Sequence, residues 1–301
     1  MIDFQYHNPG SLQEAFELLD RYGDDARVMA GGTALVLQMK QRLAQPDHVV
    51  GLRHIPGLSE IQWEAADPSK EASKQASGQL RIGSMSTHQQ IQTDRLVQDR
   101  IPLISSTFRQ ASTPRIRSMA TLGGGLAHGD PNQDPPPALI ALGAQAVINS
   151  SQGERLVPVE DLFIDYFETD LQPGEIMTSV IIPALPTSTG GVYLKFLPKT
   201  ADDYATVSVA AVVTKGEGNT CQDIRIVLGA VGVTPVRAKE AEAVLRGKSL
   251  DERNIQDCGE AVRDAVDPLD DFRGSASYKR DMAEVFTRRP VRQAVAVSQL
   301  A

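Results

Sequence analysis

The sequence predicts an α+β protein of about two domains, and three observations carry that prediction. The chain has 301 residues, enough for two separate cores. Its first fifty residues read as strand, glycine turn, helix and strand, the pattern of an α/β unit. After about residue 176 a run of strand-like segments hands over to helical ones, the order expected of a separate α+β domain.

Each element has its own mark in the sequence. In SLQEAFELLDRYG, Ser11 and Glu14 stand three apart as a capping box, and Leu12, Ala15, Phe16 and Leu19 share one helical face. Gly23 can end that helix. ARVMA then reads as a short buried strand, and Gly31, Gly32 and Thr33 turn the chain. ALVLQMKQRLA keeps helical spacing until Pro46 closes it before the strand HVVGL. IQWEA and QLRIGSM read as strands around the polar linker ADPSKEASKQASG, a solvated hairpin loop. HQQIQTDRLVQ and IPLISSTFRQA read as helices, and the prolines of PPPALIALGA suit the first turn of another. QAVINS and RLVPV resume strands around Gly153. The later strand series is IMTSVIIP, GVYLKFLPK, ATVSVAAVVT and DIRIVLGAVG. Helices follow in TPVRAKEAEAVLRGK, in DERNIQDCGEAVRDAV and from about Ser275.

Composition narrows the function. Hydrophobic residues make up 41% and charged residues 23%, an ordinary globular balance. A net charge of −8 argues against a nucleic-acid binder, which would want a basic face. No stretch approaches the roughly 20 apolar residues of a membrane span, and the acidic start MIDFQYHNPG is no signal peptide. Two cysteines, Cys221 and Cys258, make no disulfide framework. The expectation is a cytoplasmic protein.

The segment ATLGGGLAHGDPNQD places three bare glycines beside acidic residues. Gly123, Gly125 and Gly129 miss the dinucleotide spacing G-x-G-x-x-G by one residue, with His128 in the way. Neither this segment nor VMAGGTALVLQMK ends in the G-K-[ST] of a nucleoside-triphosphate loop. His128, Asp130 and Asp134 match no standard metal-ligand spacing and suit turn positions. No G-x-S-x-G elbow is present, and neither cysteine has an activating neighbour in sequence. An anion cradle fits best. Glycines let backbone close on phosphate oxygens, and amides at a helix start carry partial positive charge.

Together, AGGTALVLQMKQRLAQPDHVV and RIRSMATLGGGLAHGDPNQDPPPALIALGA resemble the FAD-binding medium subunit of the molybdenum hydroxylases, the xanthine dehydrogenase and carbon monoxide dehydrogenase family. YLKFLPKTADDYATVSVAAVV and IVLGAVGVTPVRAKEAEAVLRGK are similar to that family's C-terminal domain. The resemblance covers nearly the whole chain. It implies a PCMH-type fold, as in vanillyl-alcohol oxidase, over residues 1–176, with two α/β subdomains of about 1–55 and 56–176 clasping the FAD. A C-terminal domain of the carbon monoxide dehydrogenase flavoprotein type would occupy residues 177–290.

The resemblance also assigns residues. Val28, Met29, Ala30, Gly31, Gly32, Thr33, Ala34 and Leu35 match a first diphosphate loop; Thr121, Gly123 and Gly124 match a second, with Gly125 beside them. Asp134 matches a polar contact to a cofactor hydroxyl, and Met177 an apolar position beside flavin or adenine. Lys195 matches a lysine near the isoalloxazine. Tyr193, on the same side of a strand, resembles an aromatic that covers the ring. Lys195 and Tyr193 are thus the residues expected to act on the flavin. Two positions depart from the pattern: Gly125 stands where many relatives have Asn or Asp, and Ala111 where xanthine dehydrogenases carry a phenylalanine.

With two cysteines the chain cannot furnish an iron–sulfur centre, which needs about four thiolates. The resemblance places a molybdenum cofactor on a large partner subunit and two 2Fe–2S clusters on a small one, in a dimer of heterotrimers. Substrate would be hydroxylated at molybdenum, and electrons would pass through the clusters to a non-covalent FAD on this chain and on to an acceptor. A free-standing flavin oxidase and a non-catalytic nucleotide-binding subunit are the alternatives.

Overall fold

A computed structural model describes residues 2–65, 78–198 and 203–299. The polar linker expected after Ala65 lies outside the described residues, apart from Gly78. The chain opens with β1 (Gln5–His7), α1 (Leu12–Tyr22), β2 (Ala26–Met29), α2 (Leu35–Gln41) and β3 (His48–Gly51). The three strands form a parallel sheet in the order β1-β3-β2. Ser11 caps α1 by accepting from the N–H of Glu14, as the spacing predicts. The return bond reaches one residue further, from the N–H of Gly10 to Glu14 Oε2 at 2.7 Å. Ala15, Phe16 and Leu19 then face Val50, Leu52, Ile55 and Leu58 in a small core. Helix α2 is shorter than its periodicity suggests, because Arg42 adopts the left-handed conformation and closes it.

The middle of the chain adds β4 (Ile61–Ala65), β5 (Gly78–Gly83), α3 (His88–Thr93), α4 (Arg95–Arg100), α5 (Pro102–Gln110) and α6 (Pro114–Arg117). It continues through α7 (Leu122–His128), α8 (Pro135–Ala141), β6 (Gln145–Ser150) and β7 (Gly153–Pro158). The small hairpin β8 (Phe163–Asp165) and β9 (Glu168–Thr169) precedes β10 (Ile176–Pro183). The helical stretch HQQIQTDRLVQ is broken at Asp94, whose side chain caps α4 by accepting from the N–H of Val97. The five-stranded antiparallel sheet runs β4-β5-β10-β6-β7.

The last part is a four-stranded antiparallel sheet, β11 (Thr189–Phe196), β12 (Val207–Lys215), β13 (Cys221–Gly229) and β14 (Val236–Arg237), in sequence order. Helices α9 (Lys239–Leu245), α10 (Glu252–Ala261) and α11 (Ala276–Ser298) follow. Strand β12 is buried along its length up to Lys215, as its run of small and β-branched residues requires. Helix α11 lies so close to β11 that a Cβ on Gly190 would meet the Ala294 carbonyl.

The expected break between residues 176 and 177 falls at the start of β10. That strand pairs with both β5 and β6, so the sequence of the middle sheet runs on to Pro183. The last helix likewise carries the third part beyond residue 290 to Ser298. The core does not respect either limit. Tyr193, Ala210, Val212 and Val227 of the last sheet pack in one cluster with Leu103, Phe108 and Leu139 of the middle helices. Among the described residues, no helix is long and apolar enough to cross a membrane.

Candidate functional site

The two glycine segments, about ninety residues apart in sequence, meet. A Cβ on Gly31 would lie 1.9 Å from the Met119 carbonyl oxygen. One on Gly124 would lie 3.0 Å from the Ala30 Cβ. Gly32 turns the chain at a φ of +71°, a conformation glycine adopts readily and a branched residue resists. Residues 28–36 are all half-buried, in contrast to Val49, Val50 and Gly51 of β3 and to Met39, which are buried. Among the described residues, the N–H groups of Gly31, Gly32, Thr33 and Ala34 have no acceptor. Leu35 follows them as the first residue of α2.

The second segment differs from its expected loop. Gly123, Gly124 and Gly125 lie inside α7, capped by Thr121, whose hydroxyl accepts from the N–H of Gly124 at 3.2 Å. The N–H groups of Leu122 and Gly123 donate to Ser86 O and Ser84 O, and that of Gly125 to Thr121 O. These amides are already committed. The glycines here allow close approach: a Cβ on Gly123 would stand 2.5 Å from that of Ser84. The free amides of the cradle therefore belong to the first turn, and the second segment is the wall against which it sits.

A buried polar cluster adjoins this wall. Asp134 directly precedes α8, and its neighbour Gln133 reaches to Gly125, with Oε1 3.0 Å from where a Cβ would be. Tyr193 donates its hydroxyl proton to Asp134 Oδ1 at 2.5 Å. Lys195 Nζ donates to Asp134 Oδ2 at 2.9 Å and to the Gln110 carbonyl at 3.2 Å. The period-two spacing of β11 puts Tyr193 and Lys195 on one face, as the sequence predicts. Side-chain exposure is only 2% for Lys195 and 6% for Asp134, so this is a buried ion pair. Burial pushes the Asp134 carboxyl above its usual range, with the Lys195 ammonium and the Tyr193 hydroxyl pulling it back. Burial and the neighbouring carboxylate push the Tyr193 phenol well up, keeping it a donor.

Met177 is buried in the large core, in the cluster that also holds Leu122, Leu126 and Tyr193. Ala111 ends α5 beside Gln110 and is buried. His128 leans on Phe167, and Asp130 is held by the Tyr204 hydroxyl at 2.6 Å. Sequence reasoning passed over His88, Gln110, Gln133 and Tyr204. A signal existed for His88. Thr87 and Gln90 form a capping box, which places His88 at the first position of α3.

Two matches to known families cover the chain. Residues 2–185 match the FAD binding domain in molybdopterin dehydrogenase, and residues 192–294 the CO dehydrogenase flavoprotein C-terminal domain. The carbon monoxide dehydrogenase medium chain of Hydrogenophaga pseudoflava is 34% identical over 291 residues, spanning 97% of this chain and 96% of that one. A solved structure of carbon monoxide dehydrogenase from the same organism superposes with a TM-score of 0.90 at 36% identity, covering 98% of this chain and 99% of that one. Quinoline 2-oxidoreductase from Pseudomonas putida 86 gives 0.88 at 31% identity, covering 99% and 98%. The chain belongs to the family of FAD-binding medium subunits of the molybdenum hydroxylases. It is an oxidoreductase subunit of the flavoprotein type.

The residues present fit that cofactor. Among the described residues the turn from Gly31 to Ala34 offers amides with no acceptor, Gly31 lets the Met119 backbone close against it, and Gly32 adds no side chain, which is what a diphosphate needs from a backbone.

Proposed function

We propose that this chain carries the FAD of a three-subunit molybdenum hydroxylase and relays electrons from a partner's 2Fe–2S clusters to an external acceptor. The observation that carries the reading is the convergence of the two glycine segments on a turn with free amides, beside the buried Asp134–Lys195 pair. Gly31, Gly32, Thr33 and Ala34 would hold the diphosphate. Thr121, Gly123, Gly124 and Gly125 would keep the facing wall close. Val28, Met29, Ala30 and Leu35 frame the turn, and Met177 supports the site from the core. Asp134, Tyr193 and Lys195 would lie toward the flavin end, where Tyr193 and Lys195 fix the local charge.

FAD, when bound, supplies the redox chemistry, and the protein positions it and tunes its electronics. The entry point for electrons must lie elsewhere. Cys221 and Cys258 are both buried in the last core, and burial pushes their thiols up to about 11 and about 12. Two such thiols cannot replace the roughly four thiolates of a cluster. A large subunit with the molybdenum cofactor and a small one with two 2Fe–2S clusters would complete a cytoplasmic dimer of heterotrimers. Relatives named for carbon monoxide and for quinoline share this chain's fold, so substrate choice would rest with the large subunit.

The test is to add substrate candidates to the isolated chain and to the assembly purified from its source, following flavin absorbance. Reduction in the assembly alone is expected. Reduction in the isolated chain would favour a free-standing oxidase, and absence of flavin from both would favour a non-catalytic subunit.

A further inference from the structure

Beneath α7 lies a buried imidazole that neither the cradle nor the Asp134 cluster uses. The backbone N–H of His88 donates to Ala120 O at 2.9 Å, and the residue is 8% exposed. Its ring stands edge-on to Phe108, with centroids 4.9 Å apart. Neither ring nitrogen has a hydrogen-bond partner among the described residues. Burial, with a smaller push from the Arg117 charge, lowers the pKa to about 4 against the pull of the nearby Thr121 backbone, so the ring is neutral near pH 7 and has one donor and one acceptor to satisfy. Folded proteins rarely leave such atoms unmet.

The ring looks into a space made by a missing side chain. A Cβ on Gly125 would lie 3.8 Å from His88 Nε2 and 3.0 Å from Gln133 Oε1. Gln133 Nε2 donates to the Asp130 carbonyl at 3.1 Å, which fixes the amide with its oxygen toward Gly125. The space is therefore bounded by an imidazole nitrogen and an acceptor oxygen. A phosphate oxygen is unsuited to it, having no proton to give the amide. A hydroxyl suits both sides, donating to Gln133 Oε1 and accepting from His88 Nε2–H.

We propose that the space over Gly125 is a hydroxyl subsite in which His88 and Gln133 hold one alcohol group of the bound dinucleotide. The proposal rests on the FAD reading above and deepens it, dividing the site into a diphosphate part at Gly31–Ala34 and a polyol part at Gly125. The alcohol can come from the ribityl chain or from the ribose, and these can be told apart.

Flavin-stripped parent, His88→Phe and Gly125→Ala are each titrated with FAD, FMN and ADP, and their thermal stability is measured without ligand. FAD affinity should fall about tenfold in both variants, the scale of one buried hydrogen bond. Flavin-free Gly125→Ala should meanwhile stay close to the parent in stability, since alanine favours a helix and its Cβ meets only the end of the Gln133 side chain at 3.0 Å. A loss shared with FMN assigns the ribityl chain, and one shared with ADP assigns the ribose. Unchanged FAD affinity in both variants overturns the proposal and leaves the space to water. If His88→Phe does not fold, Gly125→Ala decides alone. A parent that takes up no FAD overturns the cofactor reading itself.

Discussion

Gly32 is held at positive φ, as is Gly129 at the end of α7, but a Cβ on Gly32 would meet only ordinary contacts with Met29 and Val36. The obstacle to a side chain is thus backbone strain and intrusion on the cradle. Gly32→Val should lose FAD while costing about 1–3 kcal/mol of stability, the usual scale of a strained φ; released flavin and urea melts report the two. Full occupancy would refute the diphosphate assignment. Lys195 sets a different balance. Lys195→Met leaves the Asp134 carboxylate buried without its cation, which should cost about 3–5 kcal/mol. The double variant Lys195→Met/Asp134→Asn should recover part of that, and additive losses would show no coupling. In the pair the ammonium is already balanced by a carboxylate. Its loss should still lower the flavin midpoint potential, and a potentiometric titration with an unchanged midpoint would make Lys195 purely structural.

His88 gives a pH signature. Its pKa is about 4 in the folded chain, against 6.5 when unfolded, so the unfolded chain takes up the proton first as pH falls. The stability that depends on neutral His88 is fully present above pH 6.5 and is lost between there and about 4, to a limit of about 3 kcal/mol. Other groups titrate in the same window, so the parent must be compared with His88→Phe. The parent should lose more stability than the variant between pH 7 and pH 5, and parallel losses would mean His88 is not excluded from protons.

At the scale of elements, α7 separates what the sequence discloses from what it hides. The capping boxes at Ser11 and Thr87 are local patterns with local causes. Three glycines read locally as a loop because each is worth nearly 1 kcal/mol less than alanine in a helix. The helix forms nonetheless because Thr121 caps it and Ser84, Ser86 and Ala30 press on it from other segments. Only the assembled fold contains that reason. The same holds for the Asp134 cluster. Strand spacing put Tyr193 and Lys195 on one face, but their commitment to one buried carboxylate depends on the residue that precedes α8 meeting β11. Gly123→Ala and Gly125→Ala should accordingly diverge. The first forces a Cβ to 2.5 Å from Ser84 and should destabilise by about 1–3 kcal/mol, whereas the second meets only the end of the Gln133 side chain at 3.0 Å and should cost clearly less. Equal melting temperatures would show α7 to be loosely seated.

For the whole molecule, purification from the native source should yield this chain with one larger and one smaller subunit, seen by mass spectrometry. A chain recovered alone with full flavin and substrate turnover would contradict the subunit reading. The order of strands and helices was readable along the length; the glycine motifs announced an anion cradle, and the family resemblance supplied the cofactor. The sequence boundary near residue 176 falls at the start of β10, which looks like its successors in sequence and pairs with its predecessors in the sheet.

The shared core bears on how far this chain can be treated as interchangeable parts. Tyr193, Ala210, Val212 and Val227 are packed among Leu103, Phe108 and Leu139, and Lys195 is anchored on Gln110 and Asp134. A hybrid that took its last third from a relative, spliced between Pro183 and Thr189, would inherit one half of every such contact. To fold, it would have to import the facing residues of α5 and α8 as well. Exchange between relatives is therefore constrained by that internal seam more than by the short connection where the chain could be cut.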